Sequence, residues 1–146
     1  MQPPESSANL AQLGLLLRQA HRRAAMELAS ALAPMSLSGR HFGVLLTLER
    51  HGVSTQKDLI AALGSDKAGM VRTVDDLDHR GYLERSQSAT DRRVYDLTLT
   101  PAGRTALAEA KLLSTVATQS VFGNLDVEQV AALSDLLSRI VDTSAD

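Results

Sequence analysis

Between Thr55 and Leu99 the hydrophobic period of the chain changes from that of a helix to that of a strand, and no other feature limits the possible folds as strongly. Thr55 and Asp58 have the spacing of a capping box ahead of Leu59, Ile60 and Leu63, which marks a short helix, and Gly64 suits its C-terminal stop. After the turn Gly64-Ser65-Asp66, a second helix is predicted through Met70, Val71, Val74 and Leu77 to Gly81. Two helices joined by a tight, Gly-containing turn form a helix-turn-helix pattern, although an ordinary helical hairpin gives the same local signals. Beyond Gly81 the period becomes two. Tyr82-Leu83-Glu84-Arg85 and Val94 to Leu99 alternate as strands do, around a polar, turn-forming stretch from Ser86 to Asp91. A β-hairpin with Arg92 and Arg93 at its tip therefore follows the second helix directly. That arrangement is a winged helix.

Helical segments flank this unit. Leu10, Leu13, Leu17, Ala20, Ala24, Leu28 and Leu32 recur at three- and four-residue steps, predicting a helix over 9–33 that Pro34 stops. Ser38 is a suitable N-cap for a helix through Phe42, Leu45, Leu46 and Leu48, ending near Gly52. Thr100-Pro101 pairs an N-cap with a proline at the first helical position, predicting a helix to about Phe122. Gly123-Asn124 breaks it, and Asp126 caps a last helix with Val130, Leu133, Leu136, Leu137 and Ile140 on one face. With no linker or repeat, residues 1–146 read as one mainly α domain with a small β-hairpin. Residues 34–100 form the winged helix-turn-helix lobe, and 9–33 and 101–142 are the flanking helices.

Composition narrows the chemistry. Aromatics make up only 3% of the 146 residues and Trp is absent, so Leu, Val, Ile and Ala must build the core. The absence of Cys excludes disulfides, Cys-ligated zinc and a thiol switch. No apolar run approaches the ~20 residues that cross a bilayer, and Met1 to Ala8 lacks the basic start and apolar stretch of a secretory signal, so a cytoplasmic protein is expected. The net charge of −2 argues against a general affinity for nucleic acid. Its distribution is uneven: +2 over residues 1–53, zero over 54–104 and −4 over 105–146. Any phosphate-binding face must be a local cluster, and the tightest is Arg85, Arg92 and Arg93, offset by Asp91.

From Leu37 to Gly103 the sequence resembles the multiple-antibiotic-resistance regulator (MarR) family. The matching pieces are Thr55-Gln56-Lys57-Asp58-Leu59-Ile60, then Asp66 to Leu77 as recognition helix, Gly81-Tyr82-Leu83-Glu84-Arg85, Asp91-Arg92-Arg93, and Leu97-Thr98-Leu99-Thr100-Pro101-Ala102-Gly103. The ordered series is specific, above all D-x-R in the wing followed by L-T-x-x-G. The resemblance implies a homodimeric, ligand-responsive transcriptional repressor of double-stranded DNA, with no cofactor and no catalysis.

A recognition helix lays its N-terminal half in the major groove, and Ser65, Lys67, Ala68, Gly69, Arg72 and Thr73 occupy those positions. Asp66 caps that helix. Thr55 and Gln56, at a helix N-terminus, can offer backbone N–H groups to phosphate. The resemblance implies that Arg93 enters the minor groove while Asp91 orders the loop by pairing with a neighbouring arginine. Arg92 and Arg85 are then phosphate contacts or the partner of Asp91. It also implies a two-fold dimer built on the terminal helices, for which Leu10, Leu13, Leu17, Leu112, Leu133, Leu136, Leu137 and Ile140 are the interface candidates. The effector it implies is a small aromatic or phenolic anion between the dimer helices and the DNA lobe, which points to Arg18, His21, Arg22, His41 and Phe42. Two alternatives stay open, a protein–protein interaction module and a metal-sensing regulator. The second would need a His/Asp site, whereas His21, His41, His51 and His79 are scattered.

Overall fold

The structure is a computed structural model that describes residues 5–142, so the first half of the leading segment Met1–Ala8 lies outside it. Six helices and a three-stranded sheet follow in the order α1 (Glu5–Leu32), α2 (Gly39–His51), β1 (Ser54–Thr55), α3 (Gln56–Leu63), α4 (Lys67–His79), β2 (Leu83–Gln87), β3 (Tyr95–Leu99), α5 (Pro101–Phe122) and α6 (Val127–Asp142). The first helix starts four residues earlier than its periodicity suggests. It ends at Leu32, where Pro34 sits in a 3₁₀ turn over Ala33–Met35.

Local side-chain chemistry sets the helix starts. The Ser38 hydroxyl accepts the backbone N–H of His41 at 3.3 Å, and His41 Nδ1 accepts the backbone N–H of Ser38 at 2.9 Å. Thr55 and Asp58 form the same reciprocal pair on α3. Asp66, Thr100 and Asp126 cap α4, α5 and α6. Each cap satisfies N–H groups that would otherwise be orphaned, worth about 1 kcal/mol apiece. At the other end of α3, Gly64 takes a left-handed conformation with φ 65°, which glycine adopts without strain.

The strand order is β1-β3-β2, antiparallel throughout. Ser54 and Thr55 pair with Leu97 and Asp96, a strand too short for its alternation to register in the sequence. The hairpin strands also sit later than their alternation suggests. The first takes in Ser86 and Gln87, read above as turn residues, and the second begins at Tyr95.

One core lies inside the lobe. Leu45 and Leu48 from α2, Leu59 from α3, Val74 and Leu77 from α4, Leu83 from β2 and Leu97 from β3 are all fully buried against one another and against Leu107 of α5. Gly103 makes the seam between this lobe and α5. A Cβ there would stand 1.9 Å from the backbone oxygen of Tyr82, so only glycine lets the first turn of α5 approach so closely. Tyr82 O also accepts the backbone N–H of Thr100 at 3.1 Å, which ties the end of the hairpin to its beginning.

The outer helices are different. No residue of α6 is buried, and only Leu133 and Leu137 among its large apolar side chains are partly covered. Leu10, Leu13, Leu15, Leu16 and Leu17 of α1 are exposed, as are Leu112 and Val116 of α5.

Candidate nucleic-acid interface

The outward face of α4 is set by its amphipathic period. Met70, Val74 and Leu77 turn into the core, so Lys67, Ala68, Val71, Arg72 and Asp75 turn out. This corrects three sequence expectations. Thr73 is only 7% exposed and its hydroxyl donates to Gly69 O at 2.9 Å, so it braces the helix from within. Gly69 is likewise buried: a Cβ there would lie 2.6 Å from Asp66 Oδ1 and 3.0 Å from Arg40 Nη1, so its small size admits protein atoms rather than a base. Val71, named above with Met70, Val74 and Leu77 in the apolar pattern of this helix, is exposed. Ser65 is half-buried and donates to Asp66 O at 3.2 Å. Thr55 and Gln56 are half-buried at the start of α3.

In the wing, Asp91 Oδ1 accepts the backbone N–H of Arg93 at 3.0 Å, with the Arg93 Nε at 3.4 Å. The arginine that Asp91 orders is therefore Arg93 itself, whose side chain remains 92% exposed. Arg92 is exposed, and its carbonyl accepts from Gln87 Nε2 at 3.1 Å. Arg85 is neither a partner of Asp91 nor open to solvent on all sides. Its guanidinium bridges Asp75 and Asp78 on α4, the contact to Asp78 measuring 2.9 Å.

The third α4 aspartate is also engaged. Asp76 Oδ2 lies 2.7 Å from His41 Nε2 and 3.2 Å from Arg80 Nη2, and Arg80 Nη2 also donates to Ser36 O at 2.8 Å. Desolvation opposes ionisation of Asp76, but the hydrogen bonds and charges of Arg80 and His41 outweigh it and hold its carboxyl below the ordinary range. Burial pushes the His41 imidazole down, the Asp76 carboxylate pulls it up, and burial wins. The geometry agrees, because His41 Nδ1 must stay unprotonated to accept from Ser38. Asp58 is lowered by the Thr55 backbone N–H that its carboxylate accepts. The α4 carboxylates are thus spoken for inside the lobe, while among the described residues Lys67, Arg72 and Arg92 have no carboxylate within 4.0 Å. The net charge of −2 hides a local cationic surface.

The proposed effector residues do not converge. Capping turns α2 so that His41 faces α4 and has both ring nitrogens engaged, while Phe42 points into the core. Arg18 and Arg22 are exposed on α1, and neither lines the cleft that opens beside it. That cleft, about 740 Å³, lies between α1, α2, the α3–α4 turn and α4. His21, Leu28, Arg40, Gly43, Met70 and Thr73 are among its lining residues. Arg40 was missed by sequence reading, since nothing in its neighbourhood marks it until the turn after α3 is brought alongside. Among the described residues no three His, Asp or Glu side chains gather as a metal would need, and no helix is long and apolar enough to cross a membrane.

Residues 35–94 match the MarR family model. The HTH-type transcriptional repressor NicR of Pseudomonas putida is 28% identical over 132 residues, which span 90% of this chain and 84% of NicR. A putative transcriptional regulatory protein for the hcr operon of Thauera aromatica is 30% identical over 99 residues, 68% of this chain but only 60% of that protein. Among solved structures, BpsR of Bordetella bronchiseptica, whose DNA binding is regulated by 6-hydroxynicotinic acid, superposes with a TM-score of 0.77 at 31% identity. That match covers 88% of this chain and 98% of BpsR.

Proposed function

This chain belongs to the MarR family of transcriptional regulators, and from that premise we propose that it is a cytoplasmic, non-catalytic repressor that binds a pseudo-palindromic operator as a homodimer. The observation that carries the reading is the division of charge on the lobe. The carboxylates of α4 are consumed by His41, Arg80 and Arg85, which leaves Lys67, Arg72, Arg92 and Arg93 for phosphates and grooves. Residues 34–100 act as the DNA lobe. The exposed face of α4 enters the major groove, where Val71 is suited to a thymine methyl, and Arg93 reaches the adjacent minor groove. The uncovered apolar faces of α1, α5 and α6 join two copies, so that half-sites fall about 34 Å apart.

The cleft supports a ligand-dependent response. Arg40 is a cation on its wall with no carboxylate within 4.0 Å among the described residues, and Leu28 and Met70 supply apolar surface. A small aromatic carboxylate fits that chemistry, in line with the 6-hydroxynicotinic acid that regulates BpsR.

Fluorescence anisotropy on a duplex from the DNA upstream of the chain's own gene tests the central claim. Wild-type affinity is expected to fall steeply with salt, as phosphate contacts require. Arg93→Ala should weaken binding, and should flatten the log–log slope by about 0.9 for each phosphate contact removed, while the dimer stays folded. Unaltered affinity would remove Arg93 from the interface. Salt-independent binding would favour a protein partner instead.

A further inference from the structure

The wing and the recognition helix would have to meet neighbouring grooves at a set angle, yet the apolar packing that anchors the hairpin stops at Leu83, Leu97 and Leu99 and does not reach its tip. Of the five residues of β2 only Leu83 is buried, and beyond it the strand is exposed. The opposite edge of the sheet is only two residues long. One polar contact makes up the deficit. From the middle of β2, Arg85 spreads its guanidinium over two carboxylates one turn apart on α4, with Nη1 on Asp78 and Nη2 on Asp75. Its side chain is only 31% exposed, against 92% for Arg93 at the tip. A forked guanidinium bonding two acceptors resists rotation in a way that a single ion pair does not.

We propose that Arg85 is a positioning residue for DNA binding: together with Asp75 and Asp78 it locks the wing to the recognition helix, and it is not itself a phosphate ligand. The inference rests on the DNA-binding reading above. A hairpin held before encounter loses less freedom on binding. The same contact neutralises two carboxylates, of which Asp75 stands on the exposed face of α4 and would repel phosphate if left alone.

Charge and geometry make opposite predictions here, which allows a clean test. Replacing both acceptors, Asp75→Ala with Asp78→Ala, removes two negative charges from the helix and should tighten binding if electrostatics alone decide. The lock requires the reverse: affinity about fivefold lower at fixed salt, the effect expected of a charge-pair network near 1 kcal/mol. Arg85→Gln should lower affinity by a similar factor without changing the salt slope, and the triple variant should be no weaker than Arg85→Gln. Amide hydrogen exchange in the free protein supplies a readout that needs no DNA. Leu83–Leu99 should exchange faster in both variants while Leu45 and Leu48 of α2 keep their protection.

Tighter binding by the aspartate variant, or a slope reduced by about 0.9 for each phosphate contact that Arg85→Gln abolishes, overturns the lock and makes Arg85 a phosphate contact. If the wild type binds no duplex, the DNA reading falls. Unchanged exchange in the hairpin would then dispose of the lock as well.

Discussion

The lobe and the helical frame are built from similar residues, yet they satisfy them differently. In the lobe, Leu45, Leu59, Val74 and Leu83 are sealed, each helix start is capped and the carboxylates of α4 have partners. In the frame, Leu16 is 59% exposed, Leu112 75% and Leu136 53%. Isolated exposed leucines are ordinary, but apolar stripes on three helices of one chain mark a surface intended for burial. The lobe is complete within one chain. In the dimer proposed above, the frame is completed by a second.

The seam between them offers the largest test. Gly103→Ala sets a methyl group against the Tyr82 backbone, which cannot move aside without dragging the hairpin with it. Overpacking of this kind should cost about 3 kcal/mol and lower the melting temperature by about 10 °C. A melting curve that matched wild type would mean the two regions are not rigidly joined there. Next in size is Leu136→Glu on α6, which puts a carboxylate into the proposed dimer surface in both copies. An unpaired buried charge at about 2 kcal/mol or more predicts dissociation raised at least about thirtyfold in sedimentation equilibrium. Hydrogen exchange in α2 and α4 should be unaltered. Collapse of the lobe in that variant would break the division drawn here.

The smallest effect concerns pH and belongs to the lobe alone. Burial holds His41 below its ordinary value, so the folded protein prefers the neutral ring. As pH falls through about 6.5 the unfolded chain takes up that proton first, and stability drops until the lower folded value is passed. Above both values the contribution is fully present. His41→Gln should therefore flatten the fall in melting temperature between pH 7.5 and 5.5. An equal slope in both proteins would place the sensitivity elsewhere.

What could be read in advance follows from how far each interaction reaches along the chain. Caps at Ser38, Thr55, Thr100 and Asp126 involve partners three residues away, and all four helix starts were legible. Which side of α4 faces outward depends on where α2 and the hairpin pack, so Thr73 and Gly69 were assigned to the wrong face and Val71 was passed over. Arg85 lies ten and seven residues from its acceptors, in another element, and its sequence neighbours gave no hint of them. β1 pairs with residues some forty positions later, which no local pattern encodes.

That last strand has a consequence for how such a chain can diversify. Asp96 of β3 stands opposite Thr55 on one side and Ser86 on the other, so the first turn of α3 and the root of the wing are both paired to one residue of a shared ribbon. A substitution or insertion inside the ribbon would shift both at once. The loop over 88–94 is under no such constraint. Lineages that acquire new target sites are thus free to lengthen, shorten or recharge the loop while inheriting the rest unaltered.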